Sequence, residues 1–120
     1  MGHVRVKAKV CDAQGARCIE AECLVDTGAT LSVIPRSLAR ELGVEVVDRD
    51  RVETGAGVVE VDRGVALIEV EGRKTVSNVW ISDVTDKVLI GAVTLELAGL
   101  KLDPRTGRLE PAQLLLHRLA

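Results

Sequence analysis

Asp26 ends one apolar run and precedes another. The stretch reads Cys23-Leu24-Val25-Asp26-Thr27-Gly28-Ala29-Thr30, and apolar residues dominate again from Leu31 to Ile34. Such flanks are expected to carry the acid into the interior. A carboxylate there is costly unless it is hydrogen-bonded, paired or engaged in proton transfer. Gly28 permits a sharp turn with backbone close to the acid, and Thr27 offers a hydroxyl to fix a loop. A strand-ending surface turn would account for Asp-Thr-Gly alone, but such a turn has no need of apolar residues on both sides. Further along, Val88-Leu89-Ile90-Gly91 places apolar residues and then a glycine ahead of a short helical pattern.

Other constellations fail on spacing. His3 and His117 stand at opposite ends of the chain, and neither is joined by a Cys or an acid at zinc-ligand spacing, so no metal is expected. No Ser-His-Asp arrangement has support, since neither His lies in a motif. Gly55 and Gly57 lack the lysine and helix of a phosphate loop, and no cofactor motif is present. Glu20 and Glu22 would share one face of a strand, which reads as a solvated face rather than a catalytic pair.

The elements that must position Asp26 follow from periodicity. Residues 4–10 alternate Val4, Val6, Ala8 and Val10 with Arg5, Lys7 and Lys9, a half-buried strand. Asp12 to Gly15 reads as a turn, and a return strand over 17–25 delivers Asp26. In the simplest register Cys11 faces Ala16 and Cys18 faces Lys9, which disfavours a disulfide. A short strand over 31–34 leads to Pro35 and a helix over 36–42 closed by Gly43. Residues 44–47 are extended, and Asp48-Arg49-Asp50 reads as a charged turn. A hairpin follows, with strands over 51–54 and 58–61 around the glycine tip Gly55, Ala56 and Gly57. Gly64 marks a bulge or bend. Strands over 65–70 and 75–81 flank a Glu71-Gly72 turn, the second carrying Trp80, read as core filler. A loop over 82–86 precedes a buried strand over 87–90. A helix over 92–98 ends at Gly99, and a hairpin turns around Pro104 to Gly107. The tail, 112–120, fits either a strand or an amphipathic turn.

Composition narrows the class. The chain has 120 residues, enough for one domain with a modest core, and no linker or repeat divides it. With a net charge of −2, scattered basic residues and Trp80 as the only aromatic, it carries no nucleic-acid signature. The core must be aliphatic, and Val-rich alternation favours strands. Three cysteines, without a Cys-x-x-Cys pair, read as small buried thiols in a reducing compartment. No apolar run approaches the roughly 20 residues that span a bilayer, and Met1-Gly2-His3 leads into a charged strand without a leader pattern. The expectation is a cytoplasmic protein with no membrane partner.

Together these residues resemble the Asp-Thr-Gly-Ala signature of aspartic proteases, especially the short retroviral-type, retropepsin-like branch. Leu89, Ile90 and Gly91 match that family's second mark, and Gly55, Ala56 and Gly57 fall where it carries its flap, the lid over bound peptide. The resemblance covers most of the chain in order, and is closer to the small retropepsin-like proteases of cellular organisms. It implies an all-β, closed-barrel-like fold with two short helices. It also implies an endopeptidase in which Asp26 activates water. Two carboxylates must share a proton in that reaction, one acting as base and the other polarising the scissile carbonyl. Only one Asp-Thr-Gly is present, so the second carboxylate is expected from Asp26 of another copy, in a symmetric homodimer. By the same resemblance Thr27 would bond across the two-fold axis. Gly28 would accept substrate backbone, and Ala29 would leave space for an extended peptide bound as an added strand. Many retroviral proteases carry an acid after Asp-Thr-Gly-Ala and an arginine after the second Gly. Here Thr30 and Ala92 stand instead, so that ion pair is missing from the interface. The rival reading is a catalytically silent dimeric module that holds peptide in the same groove. The intact Asp26 motif favours the enzyme.

Overall fold

The computed structural model describes residues 4–116. Its elements run β1 (Val4–Asp12), β2 (Cys18–Val25), β3 (Ser32–Pro35), α1 (Arg36–Leu42), β4 (Asp48–Thr54), β5 (Gly57–Val70), β6 (Arg73–Ser82), β7 (Val88–Ile90), α2 (Ala92–Ala98), β8 (Leu100–Asp103) and β9 (Arg108–Pro111). The larger sheet has the order β1-β2-β7-β3-β6-β5-β4, and an additional β1–β5 pairing closes six of its strands into a barrel. β4 stays outside the closure and pairs with β5 alone. β8 and β9 form a separate two-stranded sheet.

Alternation explains the barrel wall. In β1, Ala8 and Val10 are buried while Arg5, Lys7 and Lys9 face out. Glu20 and Glu22 are exposed opposite Lys9 and Lys7, as a solvated face requires. The interior is aliphatic, built on Val10, Ile34, Ile68, Val79, Ile81 and Ile90. Both helices end on a glycine in the left-handed region, Gly43 at φ 77° and Gly99 at φ 70°. α1 turns Leu38, Ala39 and Leu42 inward, and α2 turns Thr94, Leu95 and Ala98 inward. No described helix is long and apolar enough to cross a membrane.

Four local expectations are corrected. Cys11 and Cys18 face each other across the β1–β2 hairpin and form a disulfide, with Cα atoms 4.1 Å apart. The hairpin closes on a longer loop than the two-residue turn of the simplest register. Arg17 N–H donates to Asp12 Oδ1 at 2.8 Å and Asp12 N–H to Arg17 O at 3.1 Å, with Gly15 at φ 75°. Backbone donors on the carboxylate, Arg17 N–H foremost, hold the Asp12 carboxyl below its usual range. Only Cys23 remains a free thiol; it is buried, and its pKa is pushed up to about 11 by that burial. The argument from reduced thiols to a reducing compartment therefore loses its basis.

Asp48, Arg49 and Asp50 belong to strand β4 rather than to a turn, because β5 neutralises their charges: Arg63 pairs with Asp48 and Asp50, and Asp62 with Arg49. β5 runs without interruption through Gly64. Glycine is required there for space: a Cβ would lie 2.6 Å from Glu45 O and 2.9 Å from Val44 Cγ1. Trp80 is half-buried and hydrogen-bonded rather than core filler. In the tail, residues 112–116 form no helix or strand, while 117–120 lie outside the described residues, as do His3 and His117.

The disulfide closes a short loop, with a sequence separation of 7. Loop-closure entropy gives it about 2 kcal/mol of stability. Thermal unfolding with and without a thiol reductant should show that difference, and an unchanged Tm would rule it out.

Candidate active site

The Asp26 loop is shaped by a crossing. β7 has β2 on one side in parallel, with Val25 opposite Ile90, and β3 on the other side antiparallel, with Val33 opposite Leu89. The chain between β2 and β3 must therefore pass over the end of β7, where Gly91 stands. The contact is close. A Cβ on Gly91 would fall 2.4 Å from Leu31 O and 2.9 Å from Ala29 O.

Backbone hydrogen bonds then tie the two segments together. Asp26 N–H donates to Ile90 O at 2.9 Å, Ala92 N–H to Ala29 O at 2.8 Å, and Val93 N–H to Thr30 O at 3.0 Å. Thr30 and Ala92, which replace an expected ion pair, thus join the loop to the helix through main-chain groups. Inside the loop, Ala29 N–H donates to Asp26 O at 3.1 Å. Gly28 N–H donates to the Asp26 carboxylate Oδ1 at 3.0 Å, so one carboxylate oxygen is held and the side chain is aimed.

Two residues that sequence reasoning missed complete the support. Ser32 and Thr94 are buried, and their hydroxyls share a hydrogen bond of 2.5 Å. Ser32 Oγ also accepts from Gly91 N–H at 3.0 Å. Removing that hydroxyl would leave a buried N–H unsatisfied, at a cost of roughly 1–3 kcal/mol. The available signal was a Ser inside the apolar run 31–34.

Exposure differs from the expectation in one respect. Asp26 is half-buried, not interior, and Thr27 and Gly28 are exposed. β2 ends at Val25, so the acid emerges from the barrel end as soon as its strand stops. Thr27 makes no side-chain hydrogen bond to a described residue. Asp26 is the only acid in the loop and in the β7–α2 turn beneath it. Five other aspartates are engaged elsewhere: Asp12 by its hairpin turn, Asp48 and Asp50 by Arg63, Asp62 by Arg36 and Arg49, Asp83 by Arg36. The Arg36 guanidinium holds the Asp83 carboxyl below its usual range. Among the described residues no group of His, Cys, Asp and Glu is arranged to hold a metal ion.

Gly55 and Ala56 form the tip of the β4–β5 hairpin, with Thr54 opposite Gly57. Gly57 takes φ 120°, a conformation open to glycine, whereas Gly55 does not need a positive φ. Thr54 Oγ1 donates to Gly57 O and accepts from Ala56 N–H, so the tip is a formed turn. Val59 and Val61 of this hairpin, with Ile81 and Val84, contribute apolar wall to a cavity of about 230 Å³ that Arg36 and Asp62 also line.

A family model described as aspartyl protease matches residues 6–94. The chain belongs to that family. The matched span of this retropepsin-like chain holds the Asp26 loop, the β4–β5 hairpin and Gly91. Solved retroviral proteases share the fold. The solution structure of simian foamy virus (mac) protease is 20% identical with a TM-score of 0.57, covering 77% of this chain and 91% of that one. EIAV protease complexed with the inhibitor HBY-793 is 19% identical with a TM-score of 0.64, covering 85% and 93%. No curated protein matches the chain in sequence.

Proposed function

We propose that two copies of this chain form one aspartic endopeptidase, with the paired Asp26 carboxylates activating water against a peptide bond. The observation that carries the reading is the Asp26 loop itself. An aimed, half-exposed carboxylate stands alone on a backbone crossing, while Asp12, Asp48, Asp50, Asp62 and Asp83 are engaged by partners elsewhere. The chemistry needs a second carboxylate, and a symmetric partner supplies one. Exposed Thr27 and Gly28 are free to meet that partner and the substrate. One carboxylate takes a proton from water while the other, protonated, polarises the carbonyl; like charges so close titrate as a coupled pair. The β4–β5 hairpin, tipped by Gly55, Ala56 and Gly57, serves as the flap. Peptide lies extended beneath it as an added strand. No cofactor takes part.

The test is cleavage of a denatured protein across pH, with and without a statine-type transition-state mimic. The rate should be bell-shaped, highest below neutrality, and blocked by the mimic. Asp12 and Asp83 should not destabilise the fold until pH falls below 3.8. Asp12 and Asp83 have depressed carboxyl pKa values, so their stabilising contributions are complete above the ordinary value of 3.8 and fade as pH falls through the folded one. A rate that climbs steadily into alkaline pH would defeat the dyad. Peptide binding without cleavage would establish the silent module instead.

A further inference from the structure

Asp50 looks like an ordinary charged residue in sequence, yet its carboxylate joins three strands. Oδ2 accepts from the indole Nε1 of Trp80 on β6 at 2.9 Å and from Nε of Arg63 on β5 at 2.9 Å. Arg63 also donates to Asn78 Oδ1 at 2.9 Å and Asp48 Oδ2 at 3.1 Å. The Asp50 and Arg63 side chains are 29% and 25% exposed, so water screens this pair only in part.

Register places the cluster where it has leverage. β6 pairs with β5 as far as Asp62, opposite Ile81, and no farther toward the tip. Beyond that point the hairpin is two strands wide. Asp50 lies opposite Val61, the first β5 residue past the last β5–β6 pair. It is on the edge strand β4, whose ladder partner is β5, and it reaches back across β5 to Trp80. On the same face toward the tip come Val52 and Val59, both apolar, then Thr54 opposite Gly57, whose hydroxyl bonds only within the tip, to Gly57 O and Ala56 N–H. On the opposite face Asp62 holds Arg36 at 2.8 Å and Arg49 at 3.1 Å, at the root as well. The free part of the hairpin behaves as a cantilever. At strand rise its tip lies roughly 13 Å past Val61, so a change of about 10° at the root moves the tip by about 2 Å.

We propose that Asp50 is a positioning residue of the flap, bracing β4 against Trp80 and Arg63 so that the hairpin leaves the barrel at the angle that covers peptide. This rests on the peptidase reading for what the hairpin covers. The bracing itself does not depend on activity.

The test uses the full chain and two variants. Asp50→Asn keeps an oxygen for Trp80 but removes the charge that faces Arg63, and Arg63 retains Asp48. Trp80→Phe removes only the indole donor. Hydrogen exchange of amides 52–59 should quicken about tenfold in both, the scale of one charge-assisted hydrogen bond, while amides 66–70 in the barrel stay unchanged. With a peptide substrate, KM should rise about tenfold with kcat within about twofold, because fewer molecules hold the binding-ready flap. Asp50→Glu, which restores the charge, should recover part of the loss. Unchanged exchange at 52–59, or equal acceleration in the barrel, would overturn the bracing role. If exchange responds as expected but wild type cleaves no peptide, the peptidase reading fails and the brace stands.

Discussion

Wild-type chains refolded with excess Asp26→Asn chains should lose activity in proportion to the wild-type fraction. The amide is nearly isosteric with the carboxylate, and Gly28 N–H can still donate to its oxygen. The fold should therefore survive, and the dimer should tighten as like-charge repulsion is relieved. The pure variant should be slower by on the order of 10³-fold, the scale of a lost general base. A mixed dimer holds one carboxylate and one amide and cannot serve as both base and acid. With random pairing, a wild-type chain finds a wild-type partner only as often as wild type occurs in the mixture. Peptide turnover per wild-type chain, measured against mixing ratio, should fall on that line. A constant value would mean that one chain carries the whole site, and the paired-Asp26 mechanism would be abandoned.

Gly91→Ala should be among the most damaging single-methyl additions to this chain. Gly91 has φ −92°, which any residue accepts, so the barrier is space alone. The added Cβ meets Leu31 O at 2.4 Å, Leu31 C at 2.5 Å and Ala29 O at 2.9 Å. These are backbone atoms, and hydrogen bonds from Ala92 and Val93 to the same loop hold the segment against the turn. Overpacking of this kind costs on the order of 3 kcal/mol, and Tm should drop by roughly 10 °C. Turnover should fall as well, since relief of the clash moves the Asp26 loop. Gly55→Ala is the control. Nothing lies within 4 Å of a Cβ there, and its φ is not positive. Thermal unfolding of the two variants side by side is the measurement. An unchanged Tm for Gly91→Ala would mean that the crossing is looser than its geometry indicates.

The two helices were legible in sequence because their signals are local. Arg36–Leu42 and Ala92–Ala98 each end on a glycine whose left-handed φ closes the last turn. Asp26 at a strand end, the 55–57 hairpin tip and Gly91 before a helix were legible for the same reason, since turn chemistry and apolar periodicity act within a few residues. Ser32 and Thr94 were not: each is an unremarkable polar residue until two segments 62 positions apart bring their hydroxyls together.

By itself, then, the sequence determined the order of strands and helices, the aliphatic core and the single acid in an apolar setting. Tertiary structure decided what depends on pairing. The register of β1 against β2 set Cys11 opposite Cys18, where a shift of two residues would have separated them. Charges at 48–50 became a strand once Arg63 and Asp62 of β5 stood across from them. Gly64, a bend by local rule, is an uninterrupted strand position whose missing side chain admits Glu45 O. Asp26 is half-exposed because β2 stops at Val25 and the loop crosses the barrel end, a matter of where neighbouring strands finish. Periodicity specifies which face of a segment is apolar; only the packed chain specifies what that face meets.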